Sequence, residues 1–148
     1  MNITFREARR DDVPAVVALL QNDFMGADRE ADGIEPYLKA FDDMTREGNN
    51  SLFVGEFDGR VVATYQMTLI TGLSMKAKRR AQLESIRIAD DFRGQGIGES
   101  LIDDAEARAR ADNAKLLQLT SNKQRTRAHS FYARNGFVPS HEGFKKTL

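Results

Sequence analysis

The sequence predicts a mixed α/β fold, with helices packed on one sheet, and three observations predict it. Short β-branched and aromatic runs alternate with longer stretches whose apolar residues recur every three or four positions. Asp58-Gly59 separates two strand-like runs, and both positions of so tight a turn need positive φ. A glycine-rich run, Arg93-Gly94-Gln95-Gly96-Ile97-Gly98, joins a strand-like segment to a helical one.

The elements follow in order. Ile3 to Arg6 reads as a short strand. Asp11 is placed to cap a helix that carries Val13, Val16, Val17, Leu20 and Phe24 on one face. A second helix covers Glu35 to Glu47, with Tyr37, Leu38 and Phe41 at helical spacing, and Gly48, Asn49 and Asn50 end it. Leu52 to Phe57 and Arg60 to Ile70 form the hairpin, and Thr71 to Arg80 is a polar, basic loop. Ala81 to Ala89 alternates: Leu83, Ser85, Arg87 and Ala89 fall on one face, Gln82, Glu84, Ile86 and Ile88 on the other. The helix after the glycine run has Ile97, Leu101, Ile102, Ala105 and Ala109 as its apolar stripe. A fifth strand covers Leu116 to Thr120, and a helix runs from about Thr126 to Asn135 with Gly136 at its end. Phe137-Val138 and Gly143 to Leu148 are expected to form a last hairpin pair. No repeat or linker divides residues 1–148, so a single domain is expected.

Composition removes several kinds of chemistry. The chain has no cysteine, which excludes disulfides, thiolate metal sites and cysteine nucleophiles. Its two histidines, His129 and His141, are not in an HExxH spacing, so no metal is expected. Lys plus Arg equals Asp plus Glu at 22 each, and this balance argues against nucleic acid as a partner. No apolar run reaches signal-peptide or membrane-spanning length, so no membrane partner and a cytoplasmic location are expected.

The glycine run has the makings of an anion site. The first N–H groups of a helix lack intrahelical partners and sit at the positive end of its dipole. Glycines let that backbone come close to a phosphate, and Arg93 adds a permanent positive charge. The register is not that of the G-x-x-x-x-G-K-S/T loop, because no lysine or hydroxyl follows Gly98 in place. Nor is it G-x-G-x-x-G, whose last position falls on Glu99 or Leu101. By itself such a run is as readily a tight strand-to-helix connection with no ligand.

Two motifs together say more. Arg93, Gly96 and Gly98 fit R/Q-x-x-G-x-G/A, and Ala128-His129-Ser130-Phe131-Tyr132-Ala133-Arg134-Asn135-Gly136-Phe137 follows at a distance. The first resembles the pyrophosphate-binding motif of the GNAT N-acetyltransferases, the second that family's A-x-x-h-Y-x-x-x-G-F signature. The resemblance covers nearly the whole chain. It implies a central mixed, mostly antiparallel sheet whose strands four and five splay apart, flanked by four helices. It also implies acetyl-CoA as cosubstrate, held by Arg93, Gly94, Gln95, Gly96, Ile97 and Gly98. Main-chain contacts to the pantetheine arm are implied from Ile86, Arg87 and Ile88, with Phe131 beside it. One position departs: Arg125 stands where many members have asparagine, and Asn122 is the candidate to replace that contact.

Acetyl transfer to an amine needs a held thioester, a stabilised carbonyl oxygen, a deprotonated amine and a protonated leaving thiolate. Tyr132 matches the family tyrosine often assigned as the acid, although its helical face would equally suit a core tyrosine. Glu84 is the candidate base, on the same predicted strand face as Ile86 and Ile88 and partly removed from water, with a structural salt bridge as the plain alternative. Loop residue His141, beside Glu142, is a second candidate base, while His129 belongs on the exposed side of its helix. Lys76, Lys78, Arg79 and Arg80 read as a solvated basic loop, and Met25, Met44, Met67 and Met75 as core filling rather than a pocket lining. The function expected is N-acetylation of a primary amine on a small molecule or peptide. The alternative is a non-catalytic acyl-CoA-binding module, and relatives' habits add a homodimer through the C-terminal strands.

Overall fold

The computed structural model describes residues 2–22 and 33–148. Five strands, β1 (Thr4–Glu7), β2 (Asn50–Phe57), β3 (Arg60–Ile70), β4 (Arg80–Ile88) and β5 (Leu116–Leu119), form one sheet in the order β1-β2-β3-β4-β5. The first three pairings are antiparallel and β4 runs parallel to β5. Among the described residues four longer helices accompany the sheet: α1 (Val13–Gln21), α2 (Glu35–Glu47), α4 (Ile97–Ala111) and α5 (Thr126–Arg134). Between β3 and β4 lies a single short turn, α3 (Ser74–Ala77), in which Met75, Lys76 and Ala77 all have positive φ.

Paired residues share a face of the sheet, which sorts the packing. Phe53, Tyr65, Met67 and Leu83 lie toward α4 and make the main core with Ile97, Leu101, Ile102 and Ala105. Phe53 stacks on Tyr65 at 5.0 Å between ring centroids, and the Tyr65 hydroxyl donates to Asp104 of α4 at 2.6 Å. The opposite face is covered over β2, where Val54 packs with Ala8 and Val16, and with Phe41 of α2. The Asp58-Gly59 turn has φ of 48° and 76°, as its sequence requires.

The entry to α1 differs from expectation. A 3-10 turn over Arg10–Asp12 precedes the helix, and Asp12 rather than Asp11 takes the Arg9 N–H, at 2.7 Å. The Asp12 carboxylate also pairs with Arg6 at 2.7 Å, which holds it below the usual carboxylate range. That contact comes from β1, so the spacing within the helix carried no sign of it. Phe24 and Met25 lie outside the described residues.

The expected last hairpin is not formed. Neither Phe137-Val138 nor residues 143–148 pair as strands. The Ser140 N–H turns back to the Val138 carbonyl at 2.8 Å, bending the chain around Pro139. Beyond it Phe144 is 93% exposed, with no described apolar surface to cover it.

Candidate functional site at the β4 edge

β4 pairs with β5 only from Arg80 to Leu83, opposite Leu116 to Leu119. It then continues to Ile88 while β5 has ended, so among the described residues no strand lies beside the β4 edge from Glu84 onward. Such an edge carries main-chain N–H and C=O groups that an added strand-like ligand can use. On its other side, β4 pairs with β3 through a bulge. Gln66 faces Glu84 and Thr64 faces Arg87, so three residues of β4 span what two span on β3. Ser85 absorbs the extra residue with φ of 53°.

The bulge corrects the expected faces. Glu84 shares its face with Arg87, through Gln66 and Thr64, whereas Ile88 lies opposite Ala63 on the other one. Simple alternation across Ser85 therefore fails, and Glu84 does not share a face with Ile88. Glu84 is also exposed rather than partly removed from water. The Arg87 side chain is buried and donates to the Ile86 carbonyl at 2.9 Å.

β4 leads through a 3-10 turn over Asp90–Phe92 into the glycine run and the start of α4. Gly94 and Gly96 have φ of 73° and 82°, and a Cβ on either would meet only open space. Gly96 is the N-cap of α4, and no side chain caps the helix. Gly98 does different work: a Cβ there would meet the Phe131 ring at 2.9 Å, so its bare backbone lets α5 pack on α4. Arg93 is exposed and pairs with Asp90 at 3.1 Å, and Gln95 donates to the Asp91 carbonyl at 3.0 Å. Ile97 is buried in the core.

Tyr132 projects from α5 among Phe131 and Phe137, with edge contacts at 5.4 and 5.7 Å. Burial raises its phenol above the usual tyrosine value, and the neighbouring cations Arg125 and Arg87 pull against that rise. The side chain is therefore a protonated hydroxyl at neutral pH, next to positive charge that would favour a developing anion.

A model of the acetyltransferase (GNAT) family matches residues 14–137. The chain belongs to that family. A crystal structure of a transcriptional regulator from Bacillus halodurans C-125 superposes on this GNAT chain with a TM-score of 0.94, at 36% identity, covering 99% of this chain and 100% of the other. An aminoalkylphosphonate N-acetyltransferase of Salmonella typhimurium is 39% identical over 67 residues, 45% of this chain and 44% of its own length. This chain thus aligns with less than half of that enzyme. A predicted acetyltransferase from Clostridium acetobutylicum, solved with acetyl-CoA, shares the fold at 17% identity and a TM-score of 0.77, covering 99% of this chain and 97% of the other.

The GNAT family uses acetyl-CoA, and the residues present fit it. Open, left-handed Gly94 and Gly96 leave room before an uncapped helix start, which suits a pyrophosphate. Ser121, two residues past the end of β5, has a buried Oγ with no hydrogen-bond partner, a polar atom suited to an amide of the pantetheine arm. Ser121 is not legible in the sequence, since a lone serine after a strand carries no signal. Asn122, the residue singled out instead, is exposed, and its Oδ1 accepts from the Gln124 N–H at 2.9 Å.

The other candidates come from outside β4. His129 is exposed with a ring nitrogen 2.8 Å from the Asn122 carbonyl, and His141 is exposed against Ser140 Oγ at 2.7 Å. Glu142 pairs with Lys123 at 3.4 Å. Arg79 is bonded to Thr71 and the Asp112 carbonyl, while Met67 is core and Met75 is 49% exposed. Among the described residues no cluster of three His, Asp or Glu side chains could hold a metal ion, and no helix is long and apolar enough to cross a membrane.

Proposed function

We infer that the protein transfers the acetyl group of acetyl-CoA to a primary amine, both bound at once on the β4 edge. The observation that carries this is the unpaired stretch of β4 ending at the open glycine turn, a strip of free main chain leading to an anion site. Gly94, Gln95 and Gly96, with the first N–H groups of α4, would hold the pyrophosphate, and Arg93 would add its charge. Ile86, Arg87 and Ile88 would bind the pantetheine arm through their backbone, with Ser121 Oγ and Asn122 on the facing side. Bound there, acetyl-CoA supplies an activated acyl group. Tyr132 would give its proton to the departing thiolate. Glu84, exposed on the opposite face where the unpaired run of β4 begins, would take the proton of the amine directly or through water.

The same reading includes a homodimer formed through the C-terminal segment. Phe144 and Leu148 are fully out in solvent, and among the described residues no strand pairs the outer edge of β5. Light scattering should give twice the chain mass, and a monomer at working concentration would remove this part.

The central test is calorimetry with acetyl-CoA, followed by thiol release over a panel of amines. Binding and amine-dependent thiol release are expected. Binding with no thiol release from any amine would turn the reading into that of a non-catalytic acyl-CoA-binding module.

A further inference from the structure

The face of the sheet that carries Glu84 also carries the amides of Asn50, Gln66, Gln82 and Gln118, and these are oriented by charged ends. Asn50 Nδ2 donates to the Glu47 carboxylate at 2.9 Å. Its Oδ1 must then face the other way, where it accepts from Gln66 Nε2 at 2.8 Å and Thr68 Oγ1 at 3.3 Å. Gln66 is left with its Oε1 as an acceptor, directly across from Glu84. A second chain runs the opposite way. Arg80 donates to Gln118 Oε1 at 3.4 Å, so Gln118 Nε2 donates to Gln82 Oε1, at 2.6 Å. Gln82 is left with its Nε2 as a donor.

A carboxylate and a guanidinium cannot exchange these roles, so neither chain can reverse without setting two acceptors or two donors against each other. The result is a fixed pattern. Two acceptors, Glu84 and Gln66 Oε1, lie across one strand pair, and a donor, Gln82 Nε2, lies two residues back along β4, about 7 Å away. All three residues are at least partly open to solvent, and Glu84 begins the unpaired run of β4.

We propose that this face selects the acceptor: a primary amine that carries a carbonyl oxygen about 7 Å from its nitrogen, as in an extended five-carbon ω-amino acid or its amide. The two acceptors take the amine N–H groups, and Gln82 Nε2 takes the carbonyl oxygen. A second ammonium at that distance would meet a donor and be rejected. Gln82 is a specificity-determining residue here. The proposal rests on the acetyltransferase reading above.

Four amines of one length test it: 5-aminopentanamide, 5-aminopentanoate, pentylamine and 1,5-diaminopentane, each with acetyl-CoA and thiol release as readout. The amide and the acid should exceed pentylamine by about tenfold or more in kcat/KM, mostly through KM, with the diamine lowest. Gln82→Glu keeps the oxygen that accepts from Gln118 and replaces only the donor with an acceptor. It should reverse the order and make the diamine the best of the four. Gln82→Leu should erase the preference, so that the amide and the acid are turned over at the rate the same variant shows with pentylamine. Equal rates for the four amines, an unaltered order in Gln82→Glu, or acetylation of other amines but none of these would overturn the inference while the acetyltransferase reading stands. Failure to bind acetyl-CoA at all would overturn the reading beneath it.

Discussion

Glu84 and Arg87 stand three residues apart on β4 and yet share a face of the sheet, opposite Gln66 and Thr64. In an unbroken strand that spacing puts side chains on opposite faces. Ser85 makes the difference by taking a left-handed conformation and leaving the ladder. The consequence is functional. Glu84 keeps company with the amides of Gln66 and Gln82, while Ile88 turns to the side on which Gly98 and Phe131 meet.

Substitution at Ser85 should report the strain of that bulge. Its φ of 53° is tolerable for a small polar residue and unfavourable for a β-branched one. Ser85→Val should lose about 1–3 kcal/mol of stability in urea denaturation, and Ser85→Gly should match or exceed the parent. Equal stability of the two variants would show that the bulge carries no strain.

Gly96 and Gly98 should behave differently although they share a motif. Gly96 has open space before it, so Gly96→Glu should leave the protein folded, with a strain cost of about 1–2 kcal/mol, and abolish acetyl-CoA binding. Gly98 has normal φ but would press a Cβ on the Phe131 ring at 2.9 Å. Gly98→Val should therefore lower the melting temperature more than Gly96→Glu does, with the overpacking costing about 1–3 kcal/mol. Thermal melts and calorimetry on both variants separate the two roles.

The elements that could be read from sequence were those whose signal is local. The α4 stripe, the Asp58-Gly59 turn and the glycine run each declare themselves within a few residues. Ser85 does not, because serine has no marked preference for positive φ and its neighbours alternate as any strand would. The oriented amides were equally invisible. Asn50, Gln66, Gln82 and Gln118 come from four strands, and only the register brings them together. The hairpin expected of Phe137-Val138 and residues 143–148 fails for another reason: a strand forms only beside a partner, and no described strand pairs with either segment.

Acid should unfold the protein partly through Asp12. Its carboxylate accepts from Arg6 and from the Arg9 N–H, and its folded value lies below the unfolded value of about 4. A carboxylate depressed in the folded state contributes stability that is present above the unfolded value and lost as pH falls through the folded one. Asp12→Asn should cost about 1.5–3 kcal/mol at pH 7, and the difference from the parent should shrink toward pH 3. Urea midpoints measured between those limits decide it, and a gap independent of pH would mean that the Asp12 charge does not matter.

The last prediction concerns the proton donor. Burial raises the Tyr132 phenol above its usual value, with Arg125 and Arg87 opposing, so the hydroxyl keeps its proton through the neutral and mildly alkaline range. If it protonates the coenzyme thiolate, the interaction strengthens only as negative charge appears on sulfur. An interaction made only in the transition state alters turnover and leaves ground-state binding alone. Tyr132→Phe should therefore lower kcat on the order of a hundredfold with acetyl-CoA affinity nearly unchanged. In the parent the raised phenol holds its proton wherever an ordinary tyrosine does, so kcat should show no alkaline fall from this group within that range. Packing cannot account for such a result, because phenylalanine keeps the ring contacts with Phe131 and Phe137 and removes only the oxygen. A folded Tyr132→Phe enzyme that turns over at the parent rate, with chemistry shown to be rate-limiting, would reduce Tyr132 to a core residue.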